Sequence, residues 1–107
     1  MRLPPAIQAY FEADGQSDSR AVSNCFVPDA IVSDEGRSHS GHDAIGRWWQ
    51  DAKAKYRHVA VPLETSDHDP VIKVRARVTG AFPGSPATLT FAFRLANEKI
   101  AALEIGA

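Results

Sequence analysis

The feature that most narrows the fold of this chain is a switch of hydrophobic period at Tyr56. Before it, apolar residues recur every three to four positions; after it they alternate, as in Leu89, Phe91, Phe93 and Leu95, which are separated by Thr90, Ala92 and Arg94. The first spacing buries one face of a helix and the second buries one face of a strand. Helices first and a meandering antiparallel sheet last make an α+β protein whose helices pack on one side of the sheet.

The elements can be placed from their punctuation. Pro4 and Pro5 suit a helix start, and Ile7, Tyr10, Phe11 and Asp14 follow at helical spacing until Gly15. Ser17 or Asp18 can cap a second helix with Ala21, Val22, Cys25 and Phe26 on one face and Pro28 ending it. Ala30 to Ser33 reads as a short strand, and residues 36–41 as a polar turn. The third helix is the clearest: Ile45, Trp48, Trp49, Ala52 and Tyr56 share a face. Strands are predicted over 57–67, 71–79, 87–95 and 98–105, with turns at Asp67 to Pro70, Phe82 to Pro86 and Asn97. In the second of these strands Ile72, Val74, Ala76 and Val78 face inward, which leaves Lys73, Arg75 and Arg77 as a solvated outer face.

Composition removes several function classes. A chain of 107 residues is long enough for one core, so 1–107 is read as a single domain. A net charge of -1 gives no global attraction to nucleic acid or to an anionic membrane. Cys25 is the one cysteine, so no intrachain disulfide can form, and its apolar neighbours make it a small buried hydrophobe. Residues 1–15 are too broken by Pro4, Pro5 and charges for a signal peptide or a membrane span, and a cytoplasmic location is expected. His39 and His42 offer only a loose pair, short of the three or four ligands a metal needs. Ser33 and Ser38 lie in no nucleophile motif and no glycine-rich phosphate loop is present, so neither a metal nor a cofactor is expected.

The order of elements, together with Phe26-Val27-Pro28-Asp29-Ala30, Ile31-Val32-Ser33-Asp34, Gly41-His42-Asp43-Ala44-Ile45 and the terminal Lys99 to Ile105, resembles the nuclear-transport-factor-2-like superfamily. That superfamily includes ketosteroid isomerases and SnoaL-type polyketide cyclases. The resemblance implies a curved antiparallel sheet wrapped as a cone around N-terminal helices, a cystatin-like roll, with a pocket at the open end. Phe11, Phe26, Val32, Trp48, Trp49, Tyr56, His58, Phe91 and Phe93 are the residues expected to line it.

By similarity to ketosteroid isomerases, Asp34 matches the general base and Tyr10 the tyrosine that donates a hydrogen bond to the developing enolate oxygen. Phe91 stands where those enzymes place a protonated aspartate, so steroid isomerisation itself is not expected. With Asp34 and Tyr10 alone, the pocket can still remove a proton next to a carbonyl, as cofactor-independent cyclases and isomerases do. Asp34-Glu35-Gly36 also reads as the start of a turn, with Asp34 a capping carboxylate in solvent. Two functions therefore stand side by side: an isomerase or cyclase acting on a small apolar carbonyl compound, and a non-catalytic module that holds a hydrophobic ligand or a protein. His58 is a further acid or base if it points into the cone. The C-terminal strands carry apolar residues at both parities, from Leu89 to Leu95 and from Ile100 to Ile105, which predicts an apolar outer sheet face and a homodimer through it.

Overall fold

The computed structural model describes residues 1–107. Its elements in chain order are α1 (Pro5–Gly15), α2 (Ser19–Asn24), β1 (Phe26–Asp34), β2 (Arg37–Ser40), α3 (Gly41–Tyr56), β3 (Val59–His68), β4 (Val71–Thr79), β5 (Ala87–Ala96) and β6 (Lys99–Gly106). The strands form one curved, unclosed sheet in the order β2-β1-β6-β5-β4-β3, with the helices on its concave side. The α+β architecture expected from the period switch is the one observed. No helix is long and apolar enough to cross a membrane.

The helix starts follow local chemistry. The carbonyl of Pro4 accepts from the amides of Ile7 and Gln8 at 3.0 and 2.9 Å, and Pro5 occupies the first turn, where a missing N–H costs nothing. Asp18, rather than Ser17, caps α2 by accepting from the Ala21 amide at 3.1 Å.

Three local expectations are corrected. α2 stops at Asn24, Phe26 already belongs to β1, and Pro28 lies within that strand instead of ending the helix. The β1–β6 register shifts between Phe26 and Ile31, so Pro28 withholds its N–H where the ladder is interrupted anyway. Residues 37–40 of the supposed turn form β2, because Glu35 and Gly36 both take positive φ, 53° and 74°, and close a two-residue hairpin that pairs Asp34 with Arg37. The sheet also contains one parallel pairing, β1 with β6, beside four antiparallel ones.

The core fills the concave side. Leu103 sits in register between Phe93 of β5 and Val32 of β1, and all three are buried. Tyr10 anchors an aromatic cluster there, with ring centroids 5.3 Å from Phe11, 6.0 Å from Phe26 and 5.8 Å from Phe93.

The apolar outer face expected from the C-terminal strands is absent. Opposite β5, Leu95 pairs with Ile100 but Arg94 pairs with Ala102, which leaves Ala101 as a one-residue bulge. A bulge reverses parity, so Ile100 on one side of it and Leu103 and Ile105 on the other all turn inward. The outer face of β4, β5 and β6 instead carries Lys73, Arg75, Arg77, Thr88, Arg94 and Glu104. The exposed large apolar side chains of the sheet are Ile31 on β1 and Val59, Val61 and Leu63 on the edge strand β3.

Candidate functional site

A cavity of about 400 Å³ opens between the helices and the concave sheet, a size that accepts a small organic molecule. α1 supplies Tyr10 and Asp14 to its wall, the β1–β2 hairpin supplies Asp34 and Glu35, and α3 supplies Trp48, Ala52 and Tyr56. His58 and Ala60 close the side next to β3, Phe82 and Pro83 come from the loop after β4, and Leu89, Phe91 and Ile105 line the sheet. Apart from Asp14, Asp34, Glu35 and His58, the lining is apolar or aromatic, and no lysine or arginine reaches it.

Asp34, Glu35, Asp14 and His58 are each held by a neighbour from another element. Strand alternation puts Asp34 on the same side as buried Val32, at the end of β1 where the core gives way to the cavity. Its Oδ2 accepts from the indole N–H of Trp48 at 3.0 Å. Burial pushes the Asp34 carboxyl above the ordinary carboxylate range; the Trp48 bond and nearby His39 pull it down, and Glu35 adds to the rise. The hydroxyl of Tyr56 donates to Glu35 at 3.2 Å, joining the end of α3 to the same hairpin.

Tyr10 lies at the bottom of the cavity, 2 % exposed. Burial raises its phenol well above the usual value, and the charges of Asp14 and Asp34 add to the rise, so the group stays a hydrogen-bond donor throughout the ordinary pH range.

Asp14 is the buried charge of the structure, 1 % exposed on the inner face of α1. Its Oδ1 accepts from Trp49 Nε1 at 2.9 Å and from His58 Nε2 at 2.8 Å, and Lys53 Nζ stands 3.4 Å away. Burial alone would raise this carboxyl, but the His58, Trp49 and Lys53 contacts outweigh it and hold the group below the ordinary value. Lys53 also donates to the carbonyls of Asp14 and His58, so one ammonium ties α1 to the entry of β3.

Of the expected site residues, Tyr10, Asp34, Trp48, Tyr56, His58 and Phe91 line the cavity together. Phe11, Phe26, Val32, Trp49 and Phe93 do not; they are buried in the core, where the narrow end of the cone brings α1 and α3 against the sheet. Asp14, Glu35 and Phe82 were not expected at the site. Asp14 carried a signal, as the charged residue four positions after Tyr10 on an apolar helical face, but its partner His58 is 44 positions away. His42 and Cys25 belong to the scaffold: His42 Nε2 bonds the Phe26 carbonyl at 2.8 Å, and the Cys25 thiol, raised by burial, donates to the Ala21 carbonyl.

The sequence pattern of the SnoaL-like domain matches residues 7–103, nearly the whole chain. The chain belongs to the SnoaL-like domain family. Among solved structures, a candidate polyketide cyclase from Sinorhizobium meliloti is 48% identical over 96% of this chain and 94% of its own, with a TM-score of 0.93. A hypothetical protein with a ketosteroid isomerase-like fold from Catenulispora acidiphila, in complex with trimethylamine, shares 17% identity over 99% of this chain and 87% of its own, with a TM-score of 0.86. A computationally designed 17-OHP binder superposes with a TM-score of 0.78 at 18% identity, over 95% of this chain and 87% of its own. These last two likenesses are of fold alone. No curated protein sequence matches the chain. The family includes cyclases and isomerases, and the cavity lies at the open end of the cone, where the fold implies a small-molecule site.

Proposed function

We propose that this SnoaL-like protein binds a small, largely apolar carbonyl compound and removes a proton next to the carbonyl, with Asp34 as the base and Tyr10 as a donor to the oxygen. The observation that carries the reading is Asp34 itself: a carboxylate at the wall of an apolar cavity, pushed upward by burial and oriented by the Trp48 indole. A base removes a carbon-bound proton best when its pKa is raised toward the working pH and its hydration is stripped away. Tyr10 supports the reading because it stays protonated and shares the cavity. No cofactor enters this chemistry, since the proton leaves and returns through side chains.

The second reading, a hydrophobic-ligand carrier, is favoured by Phe91. Its ring centroid is 6.4 Å from that of Tyr10, and it puts a phenyl group where the related isomerases carry a donor. One experiment separates the two. Exchange of the α-protons of 2-tetralone in D₂O, followed by proton NMR, is expected to run above the buffer rate with the protein and to fall to the buffer rate in Asp34→Asn. Binding of the ketone with exchange at the buffer rate would leave the carrier reading and remove the enzymatic one.

A further inference from the structure

Asp14 and His58 form a polar pair on the cavity wall that the Asp34 and Tyr10 chemistry does not use. β1 and β3 lie four strand steps apart, about 19 Å along a flat sheet, and curvature brings Asp34 and His58 onto one cavity. That cavity, were it a sphere, would be only about 9 Å across. The two groups therefore approach a single small ligand from different flanks.

The pair is also directional. An ionised carboxylate only accepts, so the 2.8 Å contact to Asp14 Oδ1 requires the proton on His58 Nε2. Trp49 fixes the ring edge-to-face with centroids 6.3 Å apart, and Lys53 clamps the His58 carbonyl. Nδ1 makes no hydrogen bond within the chain, while His58 lines the cavity and its side chain keeps 17% exposure. A structural ion pair would be complete with Nε2 alone; here the second nitrogen is left without a partner in the chain, on a residue that lines the cavity.

We propose that His58 Nδ1 is the second contact to the substrate's oxygen, taking the place of the donor lost at Phe91, and that Asp14 is its positioning residue. The proposal rests on the carbonyl reading above. In the charged form Nδ1–H donates to the carbonyl oxygen as Asp34 takes the α-proton. The C–H pair becomes the new C=C bond, the carbonyl π pair moves to oxygen, and the imidazolium proton follows it, leaving an enol, neutral His58 and protonated Asp34. Return of the proton from Asp34 to the same or the conjugated carbon, with the enol proton going back to Nδ1, closes the cycle with no net gain or loss. The substrate class is accordingly an enolisable ketone whose oxygen reaches the α1 and β3 side while its acidic carbon faces the β1 hairpin.

The test uses 2-naphthol, an apolar mimic of an enol that undergoes no proton abstraction, so its outcome is separate from the exchange assay on Asp34. In protein labelled with ¹⁵N-histidine, His58 is expected to show a protonated Nε2, and its Nδ1 resonance should move when 2-naphthol is added. His58→Gln should weaken 2-naphthol binding by about tenfold or more. Asp14→Asn should weaken 2-naphthol binding in parallel and shrink the ligand-induced movement of the Nδ1 resonance, a change that a purely structural tie would not produce. The groups that face His58 are Asp14 and Lys53, with the Trp49 indole at its edge. Failure of the wild type to bind 2-naphthol at millimolar concentration, binding with an unmoved Nδ1 resonance, or wild-type affinity in His58→Gln would each overturn the proposal. The resonance of the wild-type protein decides the matter even if a variant fails to fold.

Discussion

Replacing Asp14 by alanine isolates the energetics of the one buried carboxylate, and its cost can be worked out from its partners. Three donors meet Oδ1: Trp49 Nε1 at 2.9 Å, His58 Nε2 at 2.8 Å and Lys53 Nζ at 3.4 Å. Lys53 and His58 each keep 17% side-chain exposure and can turn toward water, whereas Trp49 is 3% exposed and cannot. The indole N–H is then orphaned at a cost of about 1–3 kcal/mol, and loss of the charge-assisted bonds adds about 1–2 kcal/mol, partly offset by no longer burying a charge. A net loss of about 3 kcal/mol is at the lower end for breaking a buried ion pair. With about 2.1 cal/mol/K of unfolding entropy per residue, this corresponds to a fall in Tm of about 13 °C for a chain of this length.

The pH dependence provides the sharper check. The folded-state pKa of Asp14 lies below the unfolded one. Its stabilisation is therefore fully present above the unfolded value of about 3.9 and drains as pH falls through the folded value. Thermal unfolding by circular dichroism should show the wild-type advantage over Asp14→Ala undiminished from about pH 7 to about pH 5 and shrinking toward about pH 2. A Tm loss below about 4 °C at neutral pH, or a gap unchanged in acid, would refute the reasoning, because the carboxylate would then contribute shape rather than charge.

Trp48→Phe removes the bond that lowers the Asp34 carboxyl, so the acid limb of any exchange activity that needs ionised Asp34 should move to higher pH; an unmoved limb argues against Asp34 as the base. Gly80→Ala places a Cβ 2.6 Å from the Tyr56 carbonyl and 3.2 Å from the His58 Cα, both backbone atoms, so a loss of about 1–3 kcal/mol in urea unfolding is expected. Val61→Lys tests self-association through the edge strand β3: a homodimer using Val59, Val61 and Leu63 should sediment at twice 11.6 kDa and revert to 11.6 kDa in the variant, while a monomeric wild type removes the dimer.

The period switch at Tyr56 made the fold legible because each helix and strand buries one face, and that requirement is written locally. The same rule fails where an element contains an interruption. Pro28 looks like a helix stop when the bulge that tolerates it in β1 is unseen, and Ile100 looks outward until Ala101 is known to be the extra residue. The site follows the same division. Asp34 and Tyr10, and the cavity positions of Trp48 and Tyr56, are legible through likeness to relatives, since each is marked within its own segment; helical spacing alone says only that Trp48 and Tyr56 share a face. Asp14 and His58 were not joined, because a charge on a buried helical face says only that a partner exists, and the partner comes from the far edge of the sheet. Curvature is what brings them together, and curvature comes from twist and bulges, neither of which a local pattern records. What the residue pattern does supply is a test for such pairs: a carboxylate on an otherwise apolar face cannot stay charged alone, so the histidine or lysine that meets it is to be sought among residues that enter the core without an apolar side chain of their own. In this chain His58 and Lys53 meet that description, one immediately before β3 and the other near the end of α3.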